Sequence, residues 1–541
     1  MKQWMRYLLI FLALLPILIL RDFTPDNELK YLSIADEAIA NGNIFAFFNH
    51  GVPYADKPPL YLWAIMLGKV LFGKHLMFFI SLLSVIPAFI TLWVMGNWCQ
   101  RYLSRSKTIN AELMLVTSIY FIAPIIVLRM DMLMTMFITL SLYTFYRMYM
   151  YNHVTEGSGK RSGSNCIPES RRYARWRWLL PLYIFMALFT KGPIGILMPL
   201  LSITLFLAVS GEIRSIGKYL GWRCWLLLGT LSAAWFTCVY LDGGADYLNN
   251  LLFNQTVNRA VDAFHHKKPF YFYGVSYWFS LAPWSLLAFA TILLGFTKKL
   301  INTTLLKFFT VIVASTVIML SMISSKLEIY MLPCFPFIIY GTAILLPQLK
   351  NNKWVKISVM VPAIIFIIAF AGSIVAVRVL DNISLPDIVH NLWAPIEFYT
   401  AILGAGGICA LYFVLKRKSI ENGINSIAIS MLLLVFAFSF SIPKINHIIG
   451  LKEGCRRAME VAAEKKINNY AYYQFKTGDN LDVYLGKQVR LLDGEELEGL
   501  KGTMLFVKKK YIARDTLLGN AVTGKENQIM EYGEYAIIPF E

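Results

Sequence analysis

Acidic side chains are scarce in this chain of 541 residues: 33 Asp and Glu against 51 Lys and Arg, a formal charge of +18. Its seven cysteines are scattered, with no CxxC and no metal-ligand spacing, which excludes a disulfide framework and a thiolate metal centre. No glycine-rich phosphate cradle is present, which argues against a nucleotide substrate. A basic excess can signal nucleic-acid binding, but no basic-aromatic patch or soluble basic domain accompanies it. Charged residues of all kinds make up only 16% of the chain. The 57% hydrophobic content and mean hydropathy of +0.54 exceed what a soluble globular protein buries.

What is abundant is apolar runs of about 17–22 residues, each able to cross about 30 Å of hydrocarbon as a helix. The expected spans are 4–20, 76–97, 111–128, 132–151, 178–191, 193–210, 222–241, 275–296, 306–323, 329–347, 355–377, 394–415 and 425–442, about 13 in all, making an all-α polytopic membrane protein. The opening MKQWMRYLLIFLALLPILIL has no small-x-small cleavage site and reads as a retained signal anchor. Residues 58–73 are apolar but short, open with Pro58-Pro59 and contain Lys69, so they are expected to lie in the interface. With the N-terminus cytoplasmic, the inward loops carry about twice as many Lys and Arg as the outward ones. Making 58–73 a span would reverse that bias. The same topology puts the C-terminal tail outside. From Lys444 that tail is soluble in character, with strand-like INNYAYYQF, TMLFVKK and YAIIPFE and an amphipathic LKEGCRRAMEVAAEKK. Two domains are expected: a membrane domain, 1–443, with outer loops 21–75 and 242–274, and a small α/β domain, 444–541.

Ion-coupled transporters place carboxylates or histidines within their spans. Here the span interiors hold almost none, and the polar chemistry gathers in the outer loops. The first loop carries Asp26, Glu28, Asp56 and Lys57, with NELKYLSIADEAIANG forming a short helix ended by Gly42. IVLRMDMLMT places Arg129 and Asp131 at a span entrance. The third loop brings Arg259, His265, His266, Lys267 and Lys268. Two tight turns add Lys191 (TKGP) and Lys326 with Tyr330 (SSKLEIYMLP). Such one-sided clustering suits a lipid substrate with a charged headgroup. A phosphate leaving group needs cations or a metal, and a hydroxyl acceptor needs a carboxylate base. Each residue also has a plain structural alternative: Asp26 as a helix N-cap, Asp131 and Arg129 as a helix-end charge pair, the lysines as snorkelling side chains.

The order P-D-x-E, G-x-P-Y-x-D-K-P-P-L-Y-x-W, R-x-D, T-K-G-P, H-x-x-P-F-x-F-Y and S-K-L-x-x-Y-x-L-P resembles the polytopic GT-C glycosyltransferases. Within them it is most similar to the bacterial lipid A aminoarabinose transferases and their protein O-mannosyltransferase-like relatives. The resemblance covers about residues 1–350. It implies transfer of a sugar from a polyprenyl (undecaprenyl) phosphate carrier to lipid A, another envelope glycan or a protein, at the periplasmic face of the bacterial inner membrane. It also implies roles. Asp26 or Glu28 is the first-loop acid, since Asn27 is inserted relative to the family's P-D-E, and Asp131 is a second acid. Lys57, Arg129, Lys191, Arg259, Lys326 and Tyr330 bind phosphate. Asp56, where Glu is commoner, and His266 hold a divalent cation (Zn, Mg or Mn), with His265 as an alternative ligand. No nucleotide and no nucleic acid is implied. The rival from a different class is a lipid-linked sugar flippase, which would need a polar path through several spans.

Overall fold

The computed structural model describes residues 2–157, 167–253, 268–380 and 387–541. Arg259, His265, His266 and Lys267 therefore lie outside the described residues. Helix α1 (Gln3–Leu20) leads into the first outer loop, which holds α2 (Glu28–Asn41), a two-stranded hairpin β1 (Phe48–Asn49) and β2 (Val52–Pro53), and α3 (Leu60–Phe72). Gly42, at φ 75°, closes α2 in the left-handed conformation that only glycine adopts without strain. The 13 residues of α3 span about 20 Å, too short for a bilayer. Its Leu67, Val70, Leu71 and Phe72 are exposed, as an interfacial helix requires.

The membrane body follows: α4 (Met77–Cys99), α5 (Arg105–Val116), α6 (Ile119–Ile126), α7 (Met130–Gly157), α8 (Ile167–Lys191), α9 (Pro193–Val209), α10 (Trp222–Asn249), α11 (Phe272–Ser280), α12 (Ser285–Thr297), α13 (Thr304–Met322), α14 (Phe335–Leu349), α15 (Lys353–Leu380), α16 (Asp387–Leu415) and α17 (Ile420–Ser439). Among the described residues, eight helical segments are long and apolar enough to cross a membrane, or up to ten if each of two bent pairs is one span. Two expected spans need correcting. Residues 111–128 break between α5 and α6, which meet at 66°, and 275–296 break between α11 and α12, at 119°. Ser118 and Pro283 lie at the two breaks.

An ion pair departs from the charge-free interior. Arg6 Nε donates to Glu112 at 2.9 Å, Nη2 donates at 3.1 Å, and Tyr7 adds a bond at 3.0 Å. Both charged groups are buried, so mutual saturation is what makes them tolerable.

Past α18 (Ile442–Ile449), α19 (Lys452–Glu464) packs on a five-stranded sheet of β3 (Asn469–Tyr473), β4 (Arg490–Leu491), β5 (Thr503–Lys508), β6 (Met530–Tyr532) and β7 (Tyr535–Phe540), in order β4-β3-β5-β7-β6. β3 runs parallel to β4 and β5, whereas β7 is antiparallel to β5 and β6. The apolar side of α19 (Cys455, Ala458, Val461, Ala462) shares one core with Leu29, Leu32 and Ile34 of the first loop. Polar contacts fix the docking: Ser33 Oγ donates to Asp482 at 2.8 Å, Asn480 Nδ2 to the Pro25 carbonyl at 3.2 Å, and Lys452 N to Asp22 at 3.0 Å.

Candidate active site

Four separated segments converge on one cavity of about 210 Å³ at the outer-loop end of the helices. Its polar lining is Asp56 and Lys57 from the first loop, Lys191 from the end of α8, and Ser325 and Tyr330 from the α13–α14 connection; Trp235 and Phe236 of α10 supply an apolar wall. The turn after α8 explains the position of Lys191. Gly192 adopts φ 87° and ψ −149°, a region essentially reserved for glycine, and Pro193 starts α9 at once. The Lys191 ammonium is thereby set over the Tyr330 ring, 4.8 Å from its centroid, and bonds to the Asp131 carboxylate.

Asp131, at the first turn of α7, is buried and takes a second, longer bond from Arg129 Nε at 3.4 Å. The Lys57 charge also acts on it. Tyr31 of α2 belongs to the same group: loss of water pushes its phenol up to about 12, with the charges of Asp131, Arg129 and Asp56 acting on it.

The loop carrying Asp56 is clamped from α10. Asp242 accepts the backbone N–H groups of Ile44, Phe45 and Ala46 at 2.9, 2.7 and 2.8 Å. The helix then breaks at Gly244 (φ 78°), which redirects Tyr247. Its hydroxyl accepts Phe47 N at 3.0 Å and donates to the Tyr54 carbonyl at 2.9 Å, two residues before Asp56. Asp242, Tyr247, Tyr31 and Ser325 were not singled out in sequence. Only the outer position of Asp242 was legible there.

The remaining expected residues sit elsewhere. Glu28 is wholly enclosed: Arg21 Nη1 and Nη2 donate at 2.6 Å each, Thr24 N at 2.7 Å and Leu128 N at 2.5 Å. Four donors occupy its carboxylate, so it joins the loop to the α6–α7 junction and does not line the cavity. Asp26 is exposed, makes no cap to α2 and does not line the cavity. Lys326 is buried beside it, donating to the carbonyls of Ile323 at 2.5 Å and Lys268 at 3.1 Å. Among the described residues no group of three or more His, Cys, Asp or Glu side chains is arranged to hold a metal ion.

The sequence family described as dolichyl-phosphate-mannose-protein mannosyltransferase matches residues 56–155. An uncharacterized protein of Aquifex aeolicus is 26% identical over 357 residues, covering 64% of this chain and 64% of its own length, just under two thirds. The undecaprenyl phosphate-alpha-4-amino-4-deoxy-L-arabinose arabinosyl transferase of Shewanella sediminis is 25% identical over 450 residues, 81% of this chain and 76% of that protein. The crystal structure of ArnT from Cupriavidus metallidurans bound to undecaprenyl phosphate superposes with a TM-score of 0.75 at 14% identity, covering 99% of this chain and 96% of ArnT. The chain thus has the fold of ArnT, a helical membrane body with a small C-terminal sheet domain, and it is similar in sequence to aminoarabinose transferases.

Proposed function

We propose that this protein is an integral membrane glycosyltransferase that moves a sugar from an undecaprenyl-phosphate carrier to an envelope acceptor. The observation that carries this reading is the convergence of Asp56, Lys57, Lys191 and Tyr330 on one cavity at the outer end of an apolar bundle. Similarity to transferases named for an undecaprenyl-phosphate sugar supports the donor class. Lipid A is the acceptor we favour, on the same similarity. The N-terminus is assigned to the cytoplasm and the C-terminal domain to the periplasm of the bacterial inner membrane, following the basic bias of the inward loops.

In the reaction the bond between the sugar's anomeric carbon and the carrier phosphate breaks. A bond to the acceptor oxygen forms and undecaprenyl phosphate leaves; a phosphate acceptor attacks through an oxygen that is already ionised, whereas a hydroxyl acceptor gives its proton to a carboxylate. Lys57 and Lys191 hold the phosphate as charge grows on it, and the Tyr330 hydroxyl supplies a further donor. Asp131 orients Lys191 and offsets the cost of burying it. Asp26, exposed outside the cavity just before the first-loop helix, is assigned to position the acceptor and to take the proton where that acceptor is a hydroxyl, following its match to the family's first-loop acid. Asp56 and His266 are the residues that would hold a divalent cation beside the carrier phosphate. It would neutralise leaving-group charge.

The test uses membranes containing the full-length protein and labelled undecaprenyl-phosphate aminoarabinose. Asp26→Ala, Lys57→Ala and Lys191→Ala are each expected to lower transfer by about 100-fold, the scale of one lost transition-state contact. Normal transfer by all three variants overturns the site. Unchanged lipid A in a deletion strain, read by mass spectrometry, overturns the acceptor and leaves the donor assignment to the membrane assay.

A further inference from the structure

A second cavity, of about 240 Å³, lies at the other end of the helices that build the active site. Trp98 comes from the end of α4 and Arg101 from the turn after it, Tyr143 and Arg147 from the middle of α7, and Arg172 and Trp176 from the beginning of α8. Asp131 and Arg147 are 16 positions apart on one helix, about 24 Å along its axis. The two cavities therefore address opposite leaflets.

Three guanidinium groups share this small space. Among the described residues none of the three has an ion-pair partner. Arg147 is held by aromatic rings: its guanidinium carbon is 5.2 Å from the Trp176 ring centroid and 5.9 Å from that of Tyr143, and Nη1 donates to the Tyr143 hydroxyl at 3.3 Å. That stacking leaves the other N–H groups of a planar, permanently charged fork available. Independently, Trp98 is 5% exposed and lines the cavity, yet its indole N–H has no acceptor. An unmet buried donor beside three like charges is unfavourable until an anion with several acceptor oxygens enters.

Toward the membrane centre, the same helices turn apolar side chains outward: Trp93 on α4 and Trp178 with Leu182 on α8 are 51%, 48% and 37% exposed. A polar head cavity above exposed apolar side chains matches the two ends of a phospholipid. We propose that this cavity binds the phosphate of an anionic phospholipid in the leaflet opposite the active site, with the Arg101, Arg147 and Arg172 guanidiniums around the phosphate and Trp98 as a further donor. The chemistry shared with other candidates is a phosphate group; the apolar flank assigns it to a lipid rather than a free ion.

The probe is phosphatidylglycerol, titrated into full-length protein in neutral detergent, with phosphatidylcholine and inorganic phosphate as parallel arms, followed by native mass spectrometry and thermal unfolding. The expected result is saturable binding and a raised unfolding midpoint with phosphatidylglycerol only. Arg147→Gln and Arg172→Gln each weaken it by about tenfold, one charged hydrogen bond's worth. Arg172 is exposed at a helix end, so its variant tests the idea without a folding question, and sugar transfer by that variant stays at the wild-type level. Equal response to phosphatidylcholine, unchanged phosphatidylglycerol affinity in both variants, or an equal response to inorganic phosphate overturns the proposal.

Discussion

Lys191 is bonded to Asp131 although the two lie 60 positions apart, one ending α8 and the other beginning α7. Both are almost fully buried. Such a pair yields little net stability, because desolvation cancels most of the attraction, but losing one partner strands a charge. The prediction separates structure from chemistry. Asp131→Ala should cost about 3–5 kcal/mol of stability by leaving the ammonium unpaired. The double variant Asp131→Leu with Lys191→Met should regain most of that stability in thermal unfolding and still transfer no sugar. Recovery of transfer by the double variant would make the pair purely structural.

Asp242 acts at a distance through the backbone it holds. Asp242→Ala removes the acceptor of three N–H groups in the segment leading to Asp56. Leaving such donors unmet costs about 1–3 kcal/mol each where they are buried, less where water can reach them, as it can at Ile44. The expected signature is a fall in kcat with modest loss of thermal stability. Tyr247→Phe should give a weaker version, since it removes two bonds to the same loop. An effect on stability alone, with kinetics intact, would show that the loop keeps its position without either clamp.

Much of this site was legible because its residues announce themselves chemically. A Lys between Asp and Pro-Pro, or before Gly-Pro, is conspicuous in an otherwise apolar chain, and four such residues do line one cavity. The clamps were not legible. Asp242 looks like any helix-end acid until the loop it holds is in place, and Tyr247 depends on a break at Gly244. Nor could sequence divide roles between Asp26 and Glu28. They are two residues apart in one turn, and only the enclosure by Arg21, Thr24 and Leu128 separates them. The breaks after α5 and α11 escaped for a different reason: an apolar run has the same composition straight or bent. In the tail, the strands expected at 467–475, 503–509 and 535–541 are present as 469–473, 503–508 and 535–540, whereas β4 and β6 have two and three residues and leave no periodic trace.

Glu28 carries its own test. Glu28→Gln keeps the shape but halves the capacity to accept, leaving Arg21 buried beside a neutral amide. Breaking a buried pair in this way costs about 3–5 kcal/mol. Thermal unfolding of purified protein should show the loss. Sugar transfer measured well below the new midpoint should stay within about threefold of wild type, since four protein donors already occupy the Glu28 carboxylate, whereas loss of one transition-state contact would cost about 100-fold. A fully stable but inactive Glu28→Gln protein would return the residue to the catalytic machinery.

The contact between the C-terminal domain and the first loop has a pH dependence of definite sign. Burial pushes the Asp482 carboxyl above the ordinary carboxylate range, opposed by the bond from Ser33 and by the His50 charge, and reinforced by Asp36. His50 Nε2 lies 3.8 Å from the carboxylate. A carboxyl whose pKa is higher in the folded state binds its proton more tightly there. Its contribution to stability is therefore complete below the unfolded value of about 3.9 and is lost as pH rises through the folded value. Replacing it with a side chain that cannot ionise removes that loss. Asp482→Asn should leave stability little changed at the acid end of the range and raise it relative to wild type as pH approaches neutrality. The measurement is the difference in unfolding midpoint between the two full-length proteins from about pH 4 to 7. A difference that stays flat, or that grows toward acid, would mean that Asp482 is not held as a buried, proton-retaining group at this junction.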